Sequence, residues 1–308
     1  MKELEIINLI QNTLNSEFIG DDCAYLKDLD IVVTQDSLVE DIHFSRKFST
    51  PYQIGYKSIA VNLSDIYASG AQAKYLTVSL SLPKNIEENF VKEFYEGAKS
   101  ALNGAEIVGG DITGADKIYV SVTAIGSAKN RKISSRKNAK KGYKIITNGN
   151  HGSSAAGLYI LQNSISGHEM FVKEHLTPFV SSELSEVIAK TAKNDYAMMD
   201  SSDGLMDSLY KIAQNSDVTA KIFFDKIPYD KNLENFDYKN MILFGGEDYK
   251  LVCAISEEDL ANINPNLYYE IGEIIEKNGD NIVEIQYKKE LEFFDKQKIE
   301  KNLFKHFN

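Results

Sequence analysis

The chain contains no tryptophan and only two cysteines among its 308 residues. Cys23 and Cys253 lie far apart and belong to no CxxC or Cys/His cluster, so the sequence argues against a structural zinc site or a disulfide framework and predicts two buried thiols. No apolar run approaches membrane-spanning length, and the first residues lack the basic-then-apolar layout of a signal peptide. We therefore expect a cytoplasmic protein without a membrane partner.

Lysine and arginine are fewer than aspartate and glutamate, so the protein is acidic, with a formal net charge of −11. This balance argues against nucleic acid as the main partner, although a bound metal ion can make a local site attractive to small anionic substrates. Hydrophobic residues make up 43% of the chain and charged residues 26%, which is ordinary for a globular protein. The length is sufficient for two domains.

Familiar catalytic and nucleotide-binding motifs are also missing. The sequence has neither a GxxxxGK[ST] phosphate loop nor a GxGxxG that follows a strand, so neither common glycine-rich loop can hold a nucleotide. It also lacks a GxSxG elbow and an HExxH pair. Carboxylates remain the main candidates for chemistry.

Aspartate is concentrated where apolar or small-residue runs give way to what we predict to be tight polar turns. Carboxylates that converge at the ends of buried elements are costly to desolvate and repel one another, so they need a cation partner. Taken singly, such residues could instead cap helices or face solvent. Together they predict a magnesium site that binds a polyphosphate, since Mg²⁺ commonly bridges carboxylates to phosphates. The segments are 20–22, 34–36, 62–65, 109–111, 200–204 and 245–248.

Hydrophobic periodicity predicts an α/β (α+β) protein with two domains, 1–137 and 138–308. In the first we expect a curved sheet, and the second restarts with a strand at 143–147. The boundary lies in a basic segment, 129–144, which is either a solvated connector or the source of an arginine that reaches a polyphosphate. Predicted helices cover 2–14, 52–70, 86–102, 153–163, 179–193 and 204–214, and further predicted strands cover 31–34, 76–82, 118–125, 219–224, 250–254 and 269–273.

The acidic motifs occur in an order that resembles the thiamine-monophosphate kinase family, within the superfamily of ATP-dependent synthetases related to aminoimidazole ribonucleotide synthetase. The resemblance spans nearly the whole chain. It rests on GDDCA (20–24), DSLVEDIHF (36–44), AVNLSDIYASGA (60–71), GGDIT (109–113), SSDGL (201–205) and GGEDY (245–249).

The resemblance implies ATP- and Mg²⁺-dependent phosphorylation of thiamine monophosphate to thiamine diphosphate, the last step of that cofactor's biosynthesis. It also implies a homodimer in which N-terminal strands of the two subunits form a β-barrel, with a C-terminal α/β domain beside it. Phosphoryl transfer depends mainly on positioning and charge neutralisation. An acceptor that is already an ionised phosphate needs no strong general base.

The same resemblance implies roles for individual residues. Gly110, Asp111, Arg136 and Ser202 match ATP-binding positions, and His43 and Glu247 match substrate-binding positions. The matching metal-binding positions are Asp22, Thr34, Gln35, Asp36, Asp65, Asp111, Asp200 and Asp203.

The chain departs from the family pattern at three places. Gln35 stands where the family has a hydroxyl, although its amide still offers an oxygen. Ser153 replaces the acid of a Gly-Asp-Ser turn. The aromatic residue that packs on the substrate is not identified by register, and the candidates are Phe293, Phe294 and Phe304.

Two alternatives to the kinase stay open at this point. One is a sibling synthetase of the same superfamily, such as selenophosphate synthetase, whose reactive cysteine near the N-terminus would have to be Cys23. The other is a regulator that binds nucleotide or metal without catalysis, for which the Gln35 and Ser153 departures give some footing.

Overall fold

A computed structural model describes residues 3–303 of the chain. Its architecture is the predicted mixture of α and β, organised around two sheets. Helix α1, Glu3–Leu14, matches the predicted helix at 2–14, but Ile10 and Leu14 on its apolar face are exposed. No helix within 3–303 combines the length and the apolar character needed to cross a bilayer.

The first sheet has five strands in the order β1-β2-β5-β3-β4. Its neighbours pair antiparallel except β3 and β4, which run parallel. Buried and exposed residues alternate along β3 and β5, because one face packs on helices. The strands are β1 Ala24–Leu26, β2 Ile31–Val39, β3 Gln72–Leu82, β4 Glu106–Gly114 and β5 Tyr119–Ser127.

Helix α2, Pro51–Ser69, packs on this sheet, and α3, Glu88–Ala101, packs on α2. Thr50 starts α2 with a capping box, since its hydroxyl accepts from the Gln53 amide and the Gln53 side chain accepts from the Thr50 amide. Most of α2 is buried, because its other side contacts the second sheet. The first hydrophobic core therefore reaches from one sheet across α2 to the other.

The second sheet has seven strands in the order β12-β11-β8-β10-β6-β9-β7, antiparallel except for β11 with β8. Within residues 3–303 neither sheet closes into a barrel. The strands are β6 Lys144–Thr147, β7 Ala197–Asp200, β8 Thr219–Phe223, β9 Leu251–Ile255, β10 Tyr269–Ile275, β11 Val283–Tyr287 and β12 Glu290–Phe294. The helices that follow β6 in the chain are α4 Ser153–Asn163, α5 Glu169–Leu176, α6 Glu183–Thr191, α7 Leu205–Asn215, α8 Tyr238–Phe244, α9 Glu257–Leu260 and α10 Lys296–Asn302.

Three of the predicted acidic turns are not turns. Residues 62–65 lie within helix α2, in agreement with the predicted helix at 52–70. Residues 34–36 continue inside β2, and residues 109–111 lie within β4, because both segments are hydrogen-bonded to neighbouring strands. The segments 20–22, 200–204 and 245–248 do lie at or next to irregular connections. The helix predicted at 179–193 begins only at Glu183, whereas the helix at 153–163 is confirmed.

Candidate active site

Three aspartates from separate elements converge between the two sheets. Asp22 comes from the turn before β1, Asp65 from the C-terminal third of α2 and Asp200 from the end of β7. One carboxylate oxygen of each lies within 4.8 Å of those of the other two. This acidic cluster is the one group in residues 3–303 whose side chains have the spacing of a metal site.

Burial and mutual repulsion raise the pKa values of the carboxyls here. Burial, then Asp203 and Asp22, raise the pKa of Asp36 to about 6. Burial, then Asp22, raise the pKa of Asp200 to about 7. Burial, then Asp36 and Asp200, raise that of Asp65 well above its usual range. The shifts express the cost of placing several anions together in a poorly solvated site.

Polar groups on β2 and α2 orient the cluster. The Thr34 hydroxyl donates to Asp65 Oδ2 at 2.7 Å. Asn62, three residues before Asp65 on the same helix, accepts the backbone N–H of Asp36 at 3.0 Å. Because Thr34 and Asp36 are two apart on a strand, both side chains lie on the face that meets α2.

Arg136 holds the turn that carries Asp22 in place by an ion pair and hydrogen bonds. Its Nη2 lies 2.5 Å from Asp22 Oδ1, and its Nη1 donates to the Gly20 carbonyl at 3.0 Å. The Arg136 backbone N–H and the Ser135 hydroxyl donate to the two oxygens of Asp21. The basic segment therefore supplies an arginine to the acidic cluster, in addition to connecting β5 to β6.

Asp203 and Ser202 lie in the connection between β7 and α7. Asp203 Oδ2 is 3.5 Å from the Lys211 ammonium, which also contacts Asp207 at 2.7 Å. The Ser202 carbonyl accepts the Glu247 backbone N–H at 2.6 Å. Gly204 has φ +102°, and a Cβ there would lie about 3.0 Å from the Gly245 carbonyl oxygen, so this close crossing of two loops favours glycine.

The Gln35 side chain does not reach the cluster. Alternation along β2 turns it to the opposite face from Thr34 and Asp36, where it is exposed. There its Oε1 accepts the Thr123 hydroxyl at 2.9 Å.

Gly110 and Asp111 lie on β4, at the far edge of the first sheet. Asp36 pairs with Val122, Val122 with Val78, and Val78 with Gly110. Three strand spacings, about 14 Å, therefore separate Asp36 from Gly110. Asp111 is exposed on the other face, so a single Mg²⁺ with ligands about 2.1 Å away cannot contact both Asp111 and Asp36 in this arrangement.

His43 and Glu247 are close enough to interact. The Val39 backbone N–H donates to His43 Nδ1 at 3.1 Å. Burial raises the pKa of Glu247, but Lys57, His175 and His43 together bring it below its ordinary value. Glu247 Oε1 lies 2.8 Å from Lys57 Nζ, and Oε2 lies 3.3 Å from His175 Nδ1.

Sequence reasoning missed both Lys57 and His175. A signal for Lys57 was present, because it stands at helical spacing between the apolar residues Ile54 and Val61 and so occupies a position expected to be buried. No comparable signal marks His175, since α5 was not predicted.

A carboxylate from a distant part of the chain lies at the N-terminus of α4. Ser153, the first residue of α4, carries no acid, but the buried Asp248 accepts the backbone N–H groups of Gly152 at 2.6 Å and Ser154 at 2.9 Å. A carboxylate at this position suits the positive end of the helix dipole.

The candidate aromatic residues have different surroundings. Phe294 is buried in the second core, 6.2 Å from Phe244 between ring centroids, so it has no free face for a ligand. Phe293 is partly exposed on the edge strand β12. Phe304 lies outside the described residues.

The acidic cluster has the character of a divalent-metal site. Neither oxygen of the buried Asp200 accepts a hydrogen bond of good geometry from the described part of the chain. A buried carboxylate without a partner is costly. Hard oxygen donors from Asp22, Asp65 and Asp200 are those that Mg²⁺ prefers.

Comparison with known sequences places this geometry in a family. Residues 20–128 match the family model described as "AIR synthase related protein, N-terminal domain". The thiamine-monophosphate kinase of Aquifex aeolicus is 34% identical over 99% of this chain and 98% of its own length. That of Bacillus subtilis is 36% identical over 78% of each chain.

Solved structures give the same result. One described as "AaThiL complexed with AMPPCP and TMP" has a TM-score of 0.86 and 33% identity, with 99% of this chain and 97% of that chain covered. A HypE–HypF complex shares the fold. It is 21% identical and has a TM-score of 0.71, with 94% of this chain and 98% of that chain covered. From the extended identity to curated relatives, this chain belongs to the thiamine-monophosphate kinase family.

Proposed function

We propose that this protein transfers the γ-phosphoryl group of ATP to the phosphate of thiamine monophosphate, forming thiamine diphosphate by direct in-line displacement. The observation that carries the proposal is the acidic cluster of Asp22, Asp65 and Asp200, with Asp22 paired to Arg136, in a chain of this family. The family relative whose structure was described with AMPPCP and TMP supports both substrates.

Mg²⁺ would be held by Asp22, Thr34, Asp36, Asp65 and Asp200. Bound there, it would neutralise the charge on the ATP phosphates. Asp203 and Asp111 are proposed ligands of further ions, since Asp203 is partly exposed near Asp36 and Asp111 lies on β4. Gln35 is left out of this set, because its side chain lies on the other face of β2.

The chain's own residues would bind and orient the two phosphates. We assign Arg136, with its planar guanidinium, to the ATP phosphates, and Ser202, Gly110 and Asp111 to further ATP contacts. His43 and Glu247 would bind thiamine monophosphate. No general base is required, because the acceptor phosphate is already ionised near neutral pH.

The experiment that tests this function is an assay of the purified protein with ATP, MgCl₂ and thiamine monophosphate. We expect thiamine diphosphate and ADP in equal amounts. Nucleotide binding without thiamine diphosphate would contradict the kinase and favour a non-catalytic regulator. Product formed from another acceptor, but not from thiamine monophosphate, would favour a sibling synthetase.

Dimerisation through the first sheet, with a barrel completed by a second copy, is part of the proposal. Strand β4 supports it, because this edge strand exposes Val108 and Ile112. The proposed domains, 1–137 and 138–308, are supported by the division of strands, since β1–β5 precede the boundary and β6–β12 follow it.

A further inference from the structure

Lys57 is a buried cation outside the acidic cluster. It lies on α2, is 3% exposed, and its ammonium contacts Glu247 Oε1 at 2.8 Å. An apolar residue of similar volume would usually stabilise such a position as well as a buried ion pair does. Stability alone therefore does not explain why a lysine is here. Its ion pair suggests that the role of Lys57 concerns the Glu247 carboxylate.

His175 holds the other oxygen of the same carboxylate. It is buried on α5, with Nδ1 3.3 Å from Glu247 Oε2 and 3.0 Å from the Ser154 hydroxyl. Burial, then Lys57, lower the pKa of His175 to about 4, so the ring is neutral near pH 7. A neutral imidazole can stabilise this carboxylate only as a hydrogen-bond donor, so the contact requires the tautomer with the proton on Nδ1.

The backbone around Glu247 is constrained as well. Glu247 and Tyr249 both have left-handed backbone conformations, with φ +65° and φ +51°. Such residues cost about 1 to 3 kcal/mol each unless their surroundings hold them. The Glu247 N–H bonds the Ser202 carbonyl at 2.6 Å, and Asp248 is tied to the start of α4. The loop and the carboxylate are therefore fixed from several directions.

The charges in this group decide what Glu247 can recognise. Glu247 is ionised, Lys57 offsets its charge and His175 is neutral, so the group as a whole carries little net charge. A carboxylate has about four acceptor positions, and the two contacts use one on each oxygen. The positions that remain make Glu247 a hydrogen-bond acceptor of fixed direction and a weak counter-ion.

We propose that Lys57 and His175 are positioning residues that orient Glu247 to accept a hydrogen bond from a donor on the organic part of the substrate. In thiamine monophosphate that donor is the amino group of the aminopyrimidine. The inference rests on the proposed function, because it assigns Glu247 to the phosphoryl acceptor and not to ATP.

The test measures kcat and KM for both substrates in Lys57→Met, His175→Leu and His175→Asn. We expect the first two changes to raise KM for thiamine monophosphate about tenfold and to leave KM for ATP within about twofold, since one oriented hydrogen bond is lost. His175→Asn keeps an N–H close to the Nδ1 position, so it should restore most of the affinity. Lys144→Met, which removes a partly buried lysine paired with Glu273, is the matched control and should change neither KM.

Combining Lys57→Met with a change of Glu247 distinguishes a positioning role of Lys57 from general damage to the fold. In a Glu247→Gln background, Lys57→Met should add less than about twofold to KM, because its effect passes through the carboxylate. Calorimetric titration of thiamine monophosphate in the presence of AMPPCP should give the same pattern without turnover, and thermal melting should verify folding.

Additive effects, a change confined to KM for ATP, or unchanged KM in folded Lys57→Met would overturn the inference. These outcomes require wild-type turnover. Absence of thiamine diphosphate from the wild-type protein would instead overturn the proposed function.

Discussion

Individual aspartates in the acidic cluster differ in how their charge is compensated. Asp22 has the Arg136 guanidinium and Asp65 has the Thr34 hydroxyl, whereas buried Asp200 has neither a cation nor a well-formed hydrogen bond within residues 3–303. Asp200 is therefore the residue whose energetics should depend most on a bound cation.

Replacing Asp200 with Asn should stabilise the metal-free protein at high pH. The pKa of Asp200 is raised to about 7 in the fold from 3.8, so the native state binds a proton that the unfolded chain has lost. Wild-type stability is therefore penalised fully above about pH 7, and the penalty disappears as the pH falls towards 3.8. We expect Asp200→Asn to gain about 4 kcal/mol at pH 8 in EDTA and about 1 kcal/mol at pH 4.5, measured by urea unfolding.

The same change should abolish turnover and weaken Mg²⁺ binding. Asp217→Asn, at an exposed aspartate paired with Lys277, is the control and should alter stability little at either pH. A variant that is less stable than wild type at pH 8 would argue against an uncompensated carboxylate.

The spacing of motifs in the sequence does not predict the direction in which each side chain of the site points. The order of motifs was enough to select Asp22, Asp65 and Asp200, which the fold brings together. It does not distinguish Gln35 from Asp36, because neighbouring residues of a strand face opposite sides and the sequence pattern predicts that the strand ends at residue 34. His175 was missed because α5 was not predicted, whereas Lys57 stands at a helical position expected to be buried and could have been found.

Among the secondary-structure elements, the long periodic segments were predictable, whereas only some of the short ones were. Helix α4 matches its predicted range, and the strands at 76–82 and 118–125 both exist. Strands β1, β7, β11 and β12 escaped prediction, because three to five residues give little periodicity, although β6, β8 and β9 of similar length were predicted.

At the start of α4, Asp248 is expected to link stability to substrate binding. Asp248→Ala removes the acceptor of two N–H groups and releases the loop that carries Glu247. We expect a loss of about 1 to 2 kcal/mol in the free energy of unfolding, together with an increased KM for thiamine monophosphate. Chemical denaturation and steady-state kinetics measure the two effects.

Asp259→Ala is the matched control for that change. Asp259 is also buried and accepts two backbone N–H groups, those of Lys193 at 2.8 Å and Asn194 at 3.0 Å, in a segment that carries no proposed site residue. It should cost stability without changing KM. Equal kinetic effects of the two variants would mean that the cap at α4 does not act through Glu247.

On the scale of the whole molecule, β4 is the surface through which we expect two copies to associate. Ile112 is 61% exposed on this strand, and a lysine there would place a charge in the proposed interface. We expect Ile112→Lys to convert a dimer into a monomer, as measured by light scattering after size-exclusion chromatography.

Leu291→Lys provides the comparison, because Leu291 is also exposed on an edge strand, β12 of the second sheet. That variant should remain dimeric. A wild-type monomer, or dissociation caused by Leu291→Lys and not by Ile112→Lys, would place the interface elsewhere or exclude it.

Helix α2 also fixes the distance between the two proposed reactant sites. It carries Lys57 for the Glu247 carboxylate and Asp65 for the acidic cluster, and eight residues of α-helix correspond to about 12 Å along the axis. Since α2 is buried between the sheets, this spacing cannot stretch without disturbing the first core. If the two sites bind the reactants as proposed, we expect acceptors of a different length to misplace either their phosphate or their organic end.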